Sequence, residues 1–299
     1  MGAGGCSSIK HSAVNHLGDA LAAGGTVYST DDDPALVQAA APFSLKLMES
    51  VLAENPNHAG LLLSATSGFT QYAYAFVQQD ADEREATDVA AAAALRHRAA
   101  RLYLRAHNYG LRGLAVAHRD FDARLRLDPR TAVRDCTAAD VPLLYWTGVS
   151  WCAAIALSKD QPALIAELPM AEALIDRALT LREDYDHGSI HAFLITYEMS
   201  RVGASGDPAV RAEQHFKRAT ELSGGSLAAP YVALAEAVCI QQQNQARFQA
   251  LLAQALAINP DAWPESRLLN LVMQRRARWL LSRQDELFLA AEPAAEPKP

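Results

Sequence analysis

Two histidines spaced four residues apart are the first side chains in this sequence that suggest metal binding. His187 and His191 lie in the segment EDYDHGSIHAF, and this spacing predicts that both occupy one face of a helix. Such a pair supplies half of a zinc site. The next coordinating residue on that face, Glu198, lies two turns beyond His191, which is too far in an unbent helix. We therefore predict no metal site, and we interpret the pair as polar residues at a helix start or lining a cleft.

Motifs typical of catalytic centres and nucleotide sites do not occur in a supporting context. The sequence contains no HExxH, GxSxG, Walker or GxGxxG pattern where the neighbouring elements would make it work. No nucleophile is paired with a base. We predict that the protein is not an enzyme and needs no cofactor.

A charge-free segment, GFTQYAYAFVQQ, combines aromatic rings with amides. Several of its residues recur on one side at helical spacing, and others lie on neighbouring faces: Phe69, Tyr72, Phe76 and Gln79, then Gln71, Tyr74 and Gln78. Trp146 and Trp151 lie in a second charge-free segment. Because hydroxyl and amide groups need partners when buried, these residues either pack in a core or line a ligand cavity.

A locally basic helix follows within an acidic chain of formal net charge −7. Four arginines fall on one side of it: Arg98, Arg101, Arg105 and Arg112. Two interpretations stay open: a solvated face paired with nearby carboxylates (Glu85, Asp120 and Asp122), or a docking surface for an acidic partner, since guanidinium groups bind carboxylates well.

The composition predicts an all-α protein. The 299 residues include 59 Ala and 38 Leu against 23 Val and Ile, and alanine and leucine favour helices. The acidic balance argues against nucleic-acid binding. Four cysteines are too few for disulfides to stabilise the fold of a chain of this length. We expect Cys152 and Cys239 to be buried as small apolar residues, whereas Cys136 could be free or paired.

Helix boundaries are marked by aspartate, proline and glycine. Asp33-Pro34 predicts a helix start, Pro42 a break or kink, and Asn55-Pro56 an end. Further breaks are predicted at Gly110, Asp128-Pro129, Asp140–Pro142, Lys159–Pro162, Gly203–Pro208, Gly224-Gly225 and Asn259–Pro264. These signals predict a linker over 1–11, one helical domain over 12–289, and a disordered tail over 290–299.

Similar helix ends recur along the chain. The segments VLAENPN, ALTLRED, ATELSGG and ALAINPD begin at residues 51, 178, 219 and 255, and the last two steps are close to the 34-residue period of tetratricopeptide hairpins. We predict tetratricopeptide-like hairpins stacked into an α-solenoid or bundle that encloses a groove, cavity or pore.

Several segments together resemble the T-component proteins of tripartite ATP-independent periplasmic (TRAP) transporters. The resemblance lies in DDDPALVQAAAPFSLKLMES, GFTQYAYAFVQQDADE, LLYWTGVSWCAAIAL, EDYDHGSIHAFLITYEMSR and HFKRATELSGG with PYVALAEAV, in this order from about residue 12 to 285. It implies an all-α lipoprotein that binds the solute-binding P subunit, whose ligands are organic acids or other hydrophobic carboxylates. It also implies no catalysis and a homotrimer with a cavity through each protomer.

The resemblance further implies periplasmic localisation with a lipid anchor. Cys6 in AGGCSS stands where family members carry the lipidated cysteine, although the apolar signal region is missing and Ala3 stands where leucine is preferred. We interpret this as a removed signal peptide. A lipid on Cys6 would make a membrane-spanning helix unnecessary.

Three functional hypotheses follow. The first is a T component whose cavity is lined by Phe69, Gln71, Tyr72, Phe76, Trp146 and Trp151, with His187, His191 and Tyr231 near its mouth. The second is a general tetratricopeptide scaffold for envelope assembly. The third is a metal-dependent enzyme that uses His187 and His191.

Overall fold

A computed structural model describes residues 15–289, and all of the secondary structure in this range is helical. The predicted all-α class is therefore confirmed. The stacking of tetratricopeptide-like hairpins and the enclosed cavity stay predictions. Cys6, the predicted linker 1–11 and the tail 290–299 lie outside the described residues.

The chain groups into two compact units, one up to Asp186 and one from His187 onward. The prediction of a single helical domain over 12–289 stays a prediction, and the two units are described separately below.

The first unit begins with short helical segments at 15–23 and Gly25–Ser29. Its main helices are α1 (Pro34–Glu54), α2 (Ala59–Tyr72), α3 (Val89–Ala117), α4 (Phe121–Leu127), α5 (Val141–Ala156) and α6 (Leu168–Leu181). Shorter helical turns lie between them at Pro129–Ala132, Val133–Asp135, Ala138–Asp140 and Pro162–Ile165, and another follows α6 at Tyr185–Gly188. Helix α3 packs against both α2 and α5, and α5 packs against α6. Most of the residues considered below project from α2, α3 and α5.

The start of α1 follows the predicted signals, but the helix is not broken at Pro42. The Asp33 side chain accepts hydrogen bonds from the backbone of Ala35 and Leu36, and Pro34 is the first helical residue. Proline inside a helix costs about 3 kcal/mol. Val37 and Leu45 are buried on either side of Pro42, so packing holds the helix on both sides of it.

The break predicted at Gly110 is also wrong, because this glycine lies within α3. A Cβ atom at Gly110 would lie 2.0 Å from Thr147 Oγ1 on α5. Glycine is therefore needed for the close approach of α3 to α5, and the buried Tyr103 and Leu114 hold the helix on either side. Their packing outweighs the roughly 1 kcal/mol that glycine costs inside a helix.

The remaining predicted breaks are confirmed. Asp128 and Asp207 each accept a hydrogen bond from the backbone of the helix that follows. Gly224 and Gly225 end a helix with φ values of 58° and 74°, which glycine adopts readily. The other confirmed breaks are at Asn55-Pro56, Asp140–Pro142, Lys159–Pro162, Gly203–Pro208 and Asn259–Pro264.

The second unit contains five main helices: α7 (Ser189–Tyr197), α8 (Pro208–Leu222), α9 (Ala228–Leu234), α10 (Gln245–Ala257) and α11 (Arg267–Ser282). Helix α7 packs against α8, and α9 packs against α10 and α11. Helix α9 continues as a π-helical turn over Ala235–Cys239. Short 3₁₀ turns follow α10 at Pro260–Ala262 and Pro264–Ser266, and the short helix Gln284–Leu287 follows α11. The buried Asn270 links two elements, since it accepts from the Ala228 backbone at 2.8 Å and donates to the Ser226 carbonyl at 3.0 Å.

The cysteines are buried, as was expected for two of them. Cys152 and Cys239 are at most 6% exposed, and neither forms a disulfide with another described residue. The same holds for Cys136, which is only 1% exposed although its sequence context is polar. Among the described helices, none combines the length and the apolarity that crossing a membrane requires.

Candidate functional site

The charge-free segment forms the C-terminal half of α2 and continues beyond it as a π-helical turn over Ala73–Gln78. The π turn leads into another α-helical segment, Gln79–Arg84. Such π turns are rare and occur often at functional sites. Four residues that the spacing places on one side are all buried: Phe69, Tyr72, Phe76 and Gln79. Gln71, by contrast, is exposed.

Phe69 lies in a cluster that joins α1, α2 and α3. Its ring stacks on Tyr109 at a centroid distance of 6.1 Å, and the Arg105 guanidinium lies 5.4 Å from its centroid. The Tyr109 hydroxyl donates to Glu49 at 2.8 Å. Burial and this hydrogen bond raise the pKa of Tyr109 to about 12. An aromatic pair is thus held between a carboxylate and a cation.

Glu49 is ionised in this cluster at neutral pH. Burial opposes its charge, but hydrogen bonds from Lys46 and Tyr109 outweigh that effect and lower the pKa of Glu49. Arg105 lies 3.5 Å from the same carboxylate. The carboxylate therefore orients both the ring and the guanidinium.

Two further arginines of α3 repeat the arrangement. Arg98 lies 5.8 Å from the centroid of Tyr72, and its guanidinium donates to the Tyr72 hydroxyl at 3.4 Å. Arg112 lies 5.3 Å from the centroid of Tyr109 and donates to the Pro56 carbonyl at 2.9 Å. All three arginines are exposed on one side of α3. We call the following set the arginine–aromatic layer: Phe69, Tyr72, Tyr109, Arg98, Arg105 and Arg112.

The open question about the basic helix is partly resolved by these contacts. The carboxylate beside Arg105 is Glu49, and Glu85 binds Arg96 instead, at 2.8 Å. Asp122 pairs with Arg126, and Asp120 with Arg119. The ion pairs described here therefore join the three predicted carboxylates to other arginines, whereas Arg105 pairs with Glu49 of the neighbouring helix α1. Docking of an acidic partner stays a prediction.

Gln79 is a buried amide that makes no hydrogen bond. Its side chain is 1% exposed, and within residues 15–289 neither its nitrogen nor its oxygen has a partner. The preceding Gln78 does have one, since it accepts from the Tyr103 hydroxyl at 2.7 Å. An unpartnered buried amide typically costs 1–3 kcal/mol.

Trp151 lies elsewhere, in the contact between α3 and α5. It is fully buried, and its indole nitrogen donates to Glu167 at 3.0 Å. The His107 ring lies 4.1 Å from the Trp151 ring. Burial lowers the pKa of His107 to about 4, so this imidazole is neutral at pH 7.

Within residues 15–289, three buried polar atoms of this contact lack partners of acceptable geometry. They are the two ring nitrogens of His107 and the hydroxyl oxygen of Thr147. Both residues are at most 5% exposed. We call His107, Thr147 and Trp151 the interior polar group.

Trp146 belongs to a third cluster, although it lies on the same helix as Trp151. It is half-buried, and its ring meets Tyr145 edge-on at 5.0 Å. Its side chain also forms a hydrogen bond with Tyr185, whose pKa is raised to about 12 mainly by burial. The six residues predicted to line one cavity therefore lie in several clusters, and their role in ligand binding stays a prediction.

His187 and His191 do not share a helix face, which corrects the sequence prediction. His187 has a φ of 56° and lies in a 3₁₀ turn, and Gly188, with a φ of 91°, is the N-terminal cap of α7, which begins at Ser189. The exposed His187 packs on Trp263 at 4.2 Å. His191 instead lies with its Nδ1 2.8 Å from Nδ1 of His215. The geometry offers no support for an enzyme that uses His187 and His191.

Two further residues of the second unit make packing and ion-pair contacts within that unit. Tyr231 is half-buried and meets Phe216 edge-on at 5.5 Å. Glu198, the distant ligand candidate, is buried between Arg201 and Arg211, at 3.0 and 2.5 Å. These arginines hold its pKa below the usual value although burial opposes them.

Sequence reasoning missed Glu49, Tyr109, His107 and His215. Each touches its partner from a different helix, as in the pairs Glu49–Tyr109 and His107–Trp151. Helical periodicity shows which face a residue occupies but not which helix covers it. The available signal was the occurrence of a histidine and a tyrosine, His107 and Tyr109, among the apolar residues of α3.

Comparison with known proteins agrees with the resemblance noted above. Residues 30–288 match the family described as TRAP transporter T-component. The chain is also 32% identical over 272 residues to an uncharacterized protein of Treponema pallidum (strain Nichols), covering 88% of this chain and 83% of that protein. The family match extends over both units and includes the arginine–aromatic layer and the interior polar group. The chain belongs to the TRAP transporter T-component family.

Proposed function

We propose that this protein acts as the accessory T component of a TRAP transporter by binding the solute-binding P subunit and receiving its organic-acid or hydrophobic ligand. Family membership supports the association with a TRAP transporter. The arginine–aromatic layer is the observation that supports binding of a partner. The role is that of a binding protein without catalytic activity.

The arginine–aromatic layer has the chemistry of a protein-binding surface. Its arginines are exposed, and rings beneath Arg98 and Arg105 restrict the motion of their guanidinium groups. Arginine and aromatic residues are enriched at interfaces, and an ordered guanidinium loses less entropy when it binds a carboxylate. We infer that an acidic patch of the P subunit binds here.

The buried unpartnered groups support the ligand part of the proposal. Ligand pockets are mostly apolar with a few polar groups that orient the ligand. Gln79 and His107 are such groups, because both are buried without hydrogen-bond partners of acceptable geometry. With a pKa of about 4, His107 offers a neutral imidazole at pH 7.

The remaining expectations complete the proposal. The protein would lie in the periplasm, attached to the envelope through a lipid on Cys6, and would assemble as a homotrimer. It would bind neither nucleic acid nor a metal cofactor in this role. A general tetratricopeptide scaffold for envelope assembly is the alternative.

Titration of the purified P subunit from the same organism into the full-length protein tests the proposal. We expect saturable binding that weakens by roughly tenfold in the double variant Arg98→Gln/Arg105→Gln, the scale of one charged hydrogen bond lost. Arg130→Gln, an exposed arginine at the start of a short helix, is the matched control and should bind like the parent.

Absence of binding to the P subunit would overturn the proposal and favour the scaffold hypothesis. Equal weakening by Arg130→Gln would show a general charge effect and would remove the arginine–aromatic layer from the interface.

A further inference from the structure

Three side chains of different chemistry meet where α3 ends and α5 begins. His118 is the C-terminal cap of α3, Cys136 follows a 3₁₀ turn, and Asp140 immediately precedes α5. One ligand atom of each (an imidazole nitrogen, Sγ and a carboxylate oxygen) lies within 4.8 Å of the other two. All belong to the first unit, and none belongs to the layer or group described above.

The separation between His118 and Asp140 is that of an ion pair, and it also suits two ligands of one metal ion. Nε2 of His118 lies 3.1 Å from Oδ1 of Asp140, and both side chains are 13% exposed. The same nitrogen is nevertheless buried without a hydrogen bond of acceptable geometry. Ligand atoms on a tetrahedral zinc ion lie roughly 3–4 Å apart, so this pair already has the required separation.

The surroundings hold the cluster in place. The other oxygen of Asp140, Oδ2, accepts from the Thr137 backbone at 2.7 Å, which leaves Oδ1 for an ion. Arg177 donates to the carbonyls of Arg134 and Cys136 at 2.9 and 2.6 Å. Arg124 binds Asp135 at 2.7 Å. The hydrogen bond to Oδ2 orients the Asp140 carboxylate, as outer contacts of metal ligands do, and the arginines hold the backbone of the turn that carries Cys136.

We propose that His118, Cys136 and Asp140 form a binding site for a divalent, zinc-like transition-metal ion. Nitrogen, sulfur and carboxylate ligands are those that zinc prefers, and three protein ligands leave a fourth position for water. The Cys136 thiol passes its proton to solvent as the sulfur–metal bond forms. The ion would tie the end of α3 to the start of α5. The proposal is independent of the proposed function.

Cobalt titration of the full-length protein, prepared without an affinity tag and freed of metal with a chelator, tests the site. We expect one equivalent of Co²⁺ to bind and to give a thiolate-to-cobalt charge-transfer band that Zn²⁺ abolishes. Cys136→Ser should lose the band and at least about tenfold in affinity, a loss that even changes around the ligands reach. Cys152→Ser is the matched control, because Cys152 is a buried cysteine of the same unit that forms no disulfide with a described residue.

His118→Gln provides a second variant, because it keeps the thiol and should weaken binding by a similar factor. Circular dichroism of each variant identifies any that fails to fold. Absence of the charge-transfer band in the parent protein would overturn the proposal. Binding that is unchanged in both Cys136→Ser and His118→Gln would also overturn it.

Discussion

The two sides of helix α3 differ in whether their polar groups have partners or solvent. Toward α2 and solvent, Arg98, Arg105 and Arg112 rest on aromatic rings, and the neighbouring carboxylate of Glu49 has several partners. Toward α5, His107 and Thr147 are buried without hydrogen bonds of acceptable geometry. The first side keeps its charges hydrated, whereas the second bears the cost of desolvating polar groups.

This difference indicates that one side of α3 serves partner recognition and the other side serves stability. Exposed charges contribute little to stability but determine how a partner is recognised. Buried groups contribute strongly to stability, and an unpartnered one lowers it. We therefore expect substitutions toward α5 to change the free energy of unfolding, and substitutions toward solvent to change binding.

Trp151→Ala should have the largest effect on the α5 side. Removing a fully buried tryptophan leaves a cavity and takes away the hydrogen-bond donor to Glu167. We expect a loss of about 3–5 kcal/mol in the free energy of unfolding, measured by urea denaturation followed by circular dichroism.

Trp146→Ala on the same helix is the matched control. This residue is only half-buried, so its loss should be clearly smaller. If both variants were equally destabilised, the difference in burial between the two tryptophans would not explain the loss in Trp151→Ala.

The local signals in the sequence predicted much of the fold but little of the candidate site. Asp33-Pro34 marked a helix start because capping involves neighbours in sequence. The break predicted at Gly110 was wrong because local sequence treats a glycine as a helix end. In the structure, this glycine instead leaves room for the side chain of Thr147 on another helix. Partners such as Glu49 and Tyr109 are 60 residues apart, and periodicity alone cannot pair them.

His187 and His191 show the same limit at short range. A spacing of four implies a shared face only if one helix includes both residues. His187 and Gly188 both have positive φ values, and α7 begins only after them, at Ser189. His118, Cys136 and Asp140 likewise come together only because the segment before α5 packs against the end of α3. Residue spacing in the sequence does not predict that contact.

His107→Leu should alter the pH dependence of stability. The pKa of His107 is lowered to about 4 by burial, so the unfolded state binds a proton more readily than the native state. Stability from this group is complete above the unfolded pKa of about 6.5 and is lost as pH falls toward 4. Between pH 7.5 and 4.5 the parent should lose about 2–3 kcal/mol that His107→Leu retains.

Urea denaturation of both proteins at the two pH values measures this difference. His215 in the second unit, whose pKa is also lowered to about 4, is present in both proteins and cancels in the comparison. Identical pH dependence in the parent and in His107→Leu would show that burial does not lower the pKa of His107 in the native state.

Gly110→Ala should destabilise the contact between α3 and α5 by about 1–3 kcal/mol. The new Cβ would lie 2.0 Å from the Thr147 hydroxyl oxygen and 2.9 Å from its Cβ, so the two helices must separate. Gly25→Ala is the control, because no atom lies within 4 Å of a Cβ built there. Thermal denaturation should show a lower Tm for Gly110→Ala only; a Tm equal to the parent's would mean that the two helices do not pack this closely.

Arg105→Gln should have the smallest effect on stability and thereby sharpen the contrast. Its side chain is 47% exposed and lies 3.5 Å from Glu49, so its ion pair is well hydrated. An exposed cation–π contact is worth about 0.5–1 kcal/mol, and we expect the free energy of unfolding to fall by no more than this. Urea denaturation measures it, and a loss above about 2 kcal/mol would place Arg105 among the structural residues. A small loss combined with weaker binding of the P subunit would instead show that this side of α3 serves recognition, because the same substitution would then change affinity without changing the fold.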